Sequence, residues 1–148
     1  MYNCKYFGIK ELVSPIVYEK WGGQAWMFFN ADVLKELDLI RELWGSSIII
    51  NNWASGGNLK QCGLRSNLDQ IVKDKTKANA LYLSSHCLGC GFDLHDALGR
   101  NSKLHSFIHN LIAQKKLKCF KRLENYSNTN GWVHCDCFQS HTDSVEIF

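Results

Sequence analysis

No stretch of this sequence approaches the length of a membrane span, no charge sign dominates it, and it contains no internal repeat, low-complexity tract or linker. Each absence removes a class of protein. A spanning helix needs about 20 consecutive apolar residues, so a helical membrane protein is excluded. Lys5, Lys10, Glu11 and Pro15 interrupt residues 1–20, which leaves no apolar core of signal-peptide length. The expectation is a product that is cytoplasmic as synthesised, carried elsewhere by other means if it acts outside the cytosol. A formal net charge of +3 is too mild to single out a polyanion. Neither a nucleic-acid nor a membrane partner is expected, and the chain should be a monomer.

What is present is globular. Hydrophobic residues make up 45% and charged residues 21% of 148 residues, enough for the core of one domain spanning 1–148. The seven cysteines are Cys4, Cys62, Cys87, Cys90, Cys119, Cys135 and Cys137. An odd number without a secretion signal argues for reduced thiols rather than a disulfide framework.

Periodicity supplies the elements. Val33, Leu34, Leu37, Ile40 and Trp44 recur at helical spacing over Ala31–Trp44, with Asn30 placed to cap the start and Gly45 to end it. Residues 47–51, carrying Ile48, Ile49 and Ile50, read as a buried strand that runs into a glycine-bearing loop. Residues 67–73 suit a short helix, the charged run 73–77 a solvated turn, and 79–84 a strand ending just before His86. Residues 102–115 form an amphipathic helix with Leu104, Phe107, Ile108, Leu111 and Ile112 inward. Two strands fit 118–124 and 131–138, joined by a polar loop at 125–130. Interspersed strands and helices without regular βαβ alternation predict an α+β fold, a small antiparallel sheet flanked by helices.

The chemistry concentrates in two places. In Ser84-Ser85-His86-Cys87-Leu88-Gly89-Cys90-Gly91-Phe92-Asp93, a histidine and an aspartate stand seven apart with two glycines between them. No continuous helix or strand brings both side chains to one ion, but a bend at Gly89–Gly91 does. In Gly131-Trp132-Val133-His134-Cys135-Asp136, strand alternation sends Trp132, His134, Asp136 and Phe138 to one face, and Cys135 and Cys137 to the other. Two imidazoles and a carboxylate suit divalent zinc, and three protein ligands leave a fourth position for water, as in catalytic sites.

The Ser-x-His-x6-Asp segment followed by Trp-x-His-x-Asp resembles the metal signature of the D-Ala-D-Ala carboxypeptidase and endopeptidase family, which shares its fold with the hedgehog signalling domain. Asn51-Asn52-Trp53 and Gly63-Leu64-Arg65 resemble the strand and loop before the first ligand. The segments 7–13 and 30–44 are similar to the phage-encoded branch. The resemblance implies a hedgehog/DD-peptidase fold, Zn2+ held by His86, Asp93 and His134, and Arg65 polarising the substrate carbonyl and steadying its oxyanion. It implies hydrolysis of peptidoglycan stem or cross-link peptides at a D-alanyl bond, by an endolysin in one consistent biology.

The general base departs from the family pattern. Many members carry Asp or Glu three residues before the last histidine, where this chain has Gly131. Glu124 is the first candidate to move the proton to the leaving amine, and Asp136 the second; Asp136 alternatively orients a ligand from behind. A non-catalytic zinc-binding relative acting in virion assembly is the competing reading.

Other groupings have plainer uses. Cys87-x-x-Cys90 with Cys135-x-Cys137 could form a thiolate site, but the strand pattern separates Cys135 and Cys137 from His134, so packing of reduced thiols is expected. His105 and His109 stand four apart beside a helix's apolar stripe and are expected at its solvated boundary. Trp21, Trp26, Phe28 and Phe29 are expected in the core, with the wall of a substrate groove as the alternative.

Overall fold

A computed structural model describes residues 1–77, 81–140 and 145–148. In chain order the helices are α1 (Ile9–Leu12), α2 (Pro15–Trp21), α3 (Ala31–Trp44), α4 (Gln70–Lys77) and α5 (Asn101–Ala113). The strands are β1 (Ile48–Ile49), β2 (Gly91–Asp96), β3 (Arg122–Leu123), β4 (Val133–Asp136) and β5 (Glu146–Ile147). Single 3-10 segments lie at Gly22–Phe28, Trp53–Ser55 and Tyr126–Asn128. The class is α+β, as expected.

Helix α3 occupies the whole expected range. The Asn30 side chain accepts from the Asp32 N–H, and Gly45 closes the helix in the left-handed conformation at φ 70°. The second amphipathic helix runs over Asn101–Ala113 with Leu104, Ile108, Leu111 and Ile112 buried. These two helices pack on each other, and α5 packs on β2 and β4. The strands answer with Phe92, Leu94, Leu123, Val133 and Cys135, all fully buried in one contiguous cluster. Phe92 is its centre, stacked on Phe29 at 6.0 Å and edge-on to Phe120 at 6.1 Å.

The sheet order is β1-β2-β4-β3-β5. Every pairing is antiparallel except β3 with β5, which is parallel, so the expectation of a wholly antiparallel sheet is corrected at that edge. Three other boundaries differ for identifiable reasons. The expected strand over 118–124 contracts to Arg122–Leu123, because the N–H groups of Cys119 and Phe120 donate to the Glu36 carboxylate instead of a ladder. The charged run 73–77 is helical, not a turn. Asp74 accepts from Gln70 one turn earlier and pairs with Lys77, while Val72 anchors α4 in the interior. Of the expected strand 79–84, Asn79 and Ala80 lie outside the described residues, and 81–84 belong to no strand.

Two helices that periodicity does not predict precede α3. Pro15 takes the first position of α2 behind Ser14, whose hydroxyl accepts from the Val17 N–H. The larger addition is β2. Residues 91–96 alternate Phe92 and Leu94 with Asp93 and His95, which is a strand signal, and β2 lies between β1 and the central strand β4.

Candidate metal centre

Asp93 and His134 are opposed across the β2–β4 ladder. The Asp93 N–H donates outward to the Cys62 carbonyl at 2.8 Å, and the His134 carbonyl accepts from the Glu124 N–H at 3.0 Å. Neither is bonded to the other's backbone. Theirs is therefore the non-hydrogen-bonded kind of antiparallel pair, in which side chains approach most closely. Both project from the face opposite Phe92 and Cys135.

His86 reaches the same point from a tight turn at residues 84–90. The Cys87 N–H donates to the Ser84 carbonyl and the Cys90 N–H to the Ser85 carbonyl. Gly89 turns the chain at φ 67°, a region that favours glycine. Gly91 lets the turn lie on β2, since a Cβ there would fall 2.1 Å from Ser85 Oγ. The expected glycine bend is present, and it leads directly into a strand. The neighbouring segment locks the turn in place, with the Arg65 N–H donating to the His86 carbonyl at 3.2 Å.

Three ligand-type atoms converge. Asp93 Oδ1 lies 2.8 Å from His134 Nδ1 and 3.3 Å from His86 Nε2, and the two ring nitrogens are 3.2 Å apart. His86, Asp93 and His134 are 3%, 8% and 8% exposed, so water is nearly excluded. The far nitrogen of each ring has its own acceptor. His86 Nδ1 faces the Gly63 carbonyl at 3.0 Å, and His134 Nε2 faces Asp136 Oδ2 at 3.4 Å, with Ser85 Oγ also at 3.4 Å. With a proton on each outer nitrogen, as a bound ion would require, both inner lone pairs would face the point that Asp93 Oδ1 also faces. Bonds of about 2.0–2.1 Å at tetrahedral angles set ligand atoms roughly 3.3 Å apart, which matches these separations. His86, Asp93 and His134 thus form a buried group that could hold a metal ion.

Charge around the group follows the same geometry. Burial opposes ionisation of Asp93, but hydrogen bonds from His134 and His86 outweigh it and hold its carboxyl well below the usual range. Burial would also lower His134, yet its bonds to Asp136 and Asp93 push it up to about 9. Burial, assisted by Arg65 and His134, moves His86 down. In the ion-free group, a proton on His134 occupies the position a cation would take.

The remaining expected site residues divide. Arg65 is 8% exposed and its Nη2 holds the second Asp93 oxygen at 3.0 Å, while its Nε donates to the Gln61 carbonyl. Only Nη1 is loosely engaged, 3.4 Å from the Tyr82 hydroxyl. Asp136 is 2% exposed and bound to His134 and to the Phe138 N–H at 3.1 Å. Glu124 lies one residue beyond the Leu123↔Cys135 pair, so alternation puts it on His134's face. Its carboxylate makes no hydrogen bond or ion pair with the cluster among the described residues.

The other groupings do not converge. Cys135 is buried on the opposite face and Cys87 stands in the turn; all seven cysteines are free thiols. Among the described residues, no set of thiols comes together as the His–Asp–His group does. His105 bonds the Glu124 carbonyl at 3.0 Å and packs on Tyr126. Trp21 and Phe28 are 39% and 37% exposed, contrary to a core role. Ser85 and the backbone acceptors Gly63 and Cys62 are not among the site residues expected from the sequence. Backbone groups carry no residue signal, whereas the position of Ser85 beside His86 is a signal that could have found it.

Comparison with family models, curated proteins and solved structures finds no match to this chain. Among the described residues, no helix is long and apolar enough to cross a membrane.

Proposed function

We propose that the chain is a zinc-dependent peptidase acting on peptidoglycan stem or cross-link peptides, with the hedgehog/DD-peptidase architecture that its His86, Asp93 and His134 motifs resemble. The observation that carries the reading is the convergence of His86 Nε2, His134 Nδ1 and Asp93 Oδ1, which lie 2.8 to 3.3 Å from one another. Two imidazoles, each held from behind by an acceptor, bring their inner nitrogens to one aspartate oxygen. Two nitrogens and one oxygen at tetrahedral separations suit zinc, which, when bound with an open position, acidifies water and polarises a carbonyl.

The chain's own residues then have distinct tasks. Asp136 and the Gly63 carbonyl fix the ring orientations. Arg65 Nη2 fixes Asp93, and Nη1 is the part of the guanidinium left to polarise a substrate carbonyl. For proton transfer, Glu124 is favoured over Asp136. Asp136 is committed to His134 and Phe138, while the Glu124 carboxylate is on the correct face and makes no bond to the cluster. A general base must be free to accept a proton and release it to the leaving amine.

The test combines metal analysis with turbidity of purified cell walls. Zinc-loaded wild type should lyse walls. Glu124→Gln should keep its zinc and lose about 10²–10⁴-fold in rate, the usual worth of a general base. The same isolation of Glu124, together with Gly131 at the family's usual base position, favours the second reading of a non-catalytic zinc protein in virion assembly. Bound zinc with no cleavage of any wall type would select it.

A further inference from the structure

None of the seven thiols belongs to the His–Asp–His group, and the β2–β4 ladder singles out two of them. Its register runs Asp93↔His134, Phe92↔Cys135, Gly91↔Asp136, so the next step sets Cys90 against Cys137. The Cys137 N–H donates to the Cys90 carbonyl at 3.0 Å, which carries the pairing one step beyond both strands. A hydrogen-bonded antiparallel pair stands about 5.5 Å apart at Cα, inside the ~4.4–6.8 Å that a disulfide spans. Facing Cβ atoms stand about 4.5–5.5 Å apart, so closure draws the two chain segments together by up to about 1 Å. Alternation sends both side chains to the face of Phe92 and Cys135, away from the metal ligands. Both thiols are half-buried, so neither is sealed from a small reagent. The other thiols are worse placed. Cys135 is fully buried and lies two residues along the same strand, about 6.6 Å away with its Cβ parallel. The β3–β4 register sets Lys121, not Cys119, across from Cys137. Cys87 lines a separate cavity with Trp21, Phe28 and Arg65.

We propose that Cys90 and Cys137 form a reversible disulfide, and that closing it clamps the turn bearing His86 onto the strand bearing His134. The bond needs neither a bound ion nor a substrate, so it stands apart from the peptidase reading. Cys90 is the last residue of the 84–90 turn, where its N–H donates to the Ser85 carbonyl at 3.0 Å. Ser85 Oγ in turn faces His134 Nε2 at 3.4 Å. A covalent tie at Cys90 therefore holds the turn at the end that abuts β4. The oxidant is a small-molecule disulfide such as glutathione disulfide. The Cys90 thiolate displaces one glutathione thiolate, giving a mixed disulfide. Cys137 then attacks Cys90 Sγ and releases the second. Two S–H bonds are lost and one S–S bond forms; the two electrons reduce the reagent to two glutathione thiols. Burial pushes both cysteines up, and Cys137 further, since Cys135, Cys119 and Cys90 all crowd it. That order makes Cys90 the first to react and is consistent with its thiol lying close to Cys137.

The experiment titrates the folded, metal-free full chain with glutathione disulfide and maps the linkages by mass spectrometry after blocking the remaining thiols. A single bond between the peptides carrying Cys90 and Cys137 is expected, with two glutathione thiols released per chain. The thermal midpoint should rise by about 5–10 °C and return on reduction with dithiothreitol. Amide exchange at Cys87 and Cys90, the two bonded N–H groups of the turn, should slow about ten-fold. Cys119→Ser should keep the linkage and both shifts, whereas Cys137→Ser should abolish them. A bond mapped to Cys119–Cys137 or Cys87–Cys90, or glutathione left on Cys90 with Cys137 free, would overturn the proposal. So would a Cys90–Cys137 bond that leaves exchange in the turn unchanged, because the clamp would then be absent.

Discussion

The two faces of the β2–β4 ladder are built from the same strands in alternation, yet they do opposite work. Phe92, Leu94, Val133 and Cys135 point into the core against α5 and are fully buried. Asp93, His134 and Asp136 point the other way and are almost as inaccessible, at 8%, 8% and 2%. Burial on the first face removes apolar surface from water and stabilises the fold. Burial on the second removes water from charges and must be compensated bond by bond, as it is by Arg65, Ser85 and the Gly63 carbonyl. The core face thus holds rigid a set of polar groups that would not assemble unaided. Strain or loosening on one face should therefore be separable, in measurement, from loss of chemistry on the other.

Substitutions can break that division. The largest effect is expected from His86→Ala. Changes behind a metal ligand cost about 10–100-fold in affinity, so removing a ligand itself should weaken zinc binding by more than about 100-fold. Competition with a chromophoric chelator measures it, and the metal-free protein should lose less stability than with Phe92→Ala, though some, because the Gly63 carbonyl and Asp93 lose a buried partner. Phe92→Ala should do the reverse. It empties the centre of the core and costs about 3–5 kcal/mol in chemical denaturation, while zinc stoichiometry of the folded fraction stays unchanged.

Asp136→Asn sharpens the comparison because it keeps shape and removes charge behind His134. A loss of about 10–100-fold in zinc affinity is expected with one ion still bound. A smaller effect comes from pH. His134 is raised from 6.5 to about 9 in the ion-free protein, so its contribution to stability is complete below about 6.5 and is lost as pH rises through about 9. Zinc must displace that proton, so apparent affinity should gain up to about ten-fold per pH unit over the same window. Thermal midpoints at several pH values, with zinc and with chelator, should therefore slope in opposite directions.

Much of this is legible from residue order, for reasons that also explain what is not. Helix α3 can be bounded to the residue because its cap, its stripe and its terminal glycine all act locally. The convergence of His86, Asp93 and His134 rests on motif spacing, with alternation correctly separating His134 from Cys135. Strand β2 is harder to read, although 91–96 alternate, because two nearby glycines suggest continued loop. The shortened β3 is not readable at all. Its fate depends on Glu36, which captures the N–H groups of Cys119 and Phe120 from more than eighty positions away. Likewise Arg65 is committed to Asp93 by tertiary contact alone, which narrows the role its position implies to one nitrogen.

With seven thiols in the chain, the ligand atoms themselves are the decisive observable. X-ray absorption at the zinc edge of the purified, zinc-loaded protein should give one ion per chain, with nitrogen and oxygen neighbours at about 2.0–2.1 Å, imidazole scattering and no sulfur. A sulfur shell at about 2.3 Å, or a chain that retains no stoichiometric zinc, would contradict the His86–Asp93–His134 site.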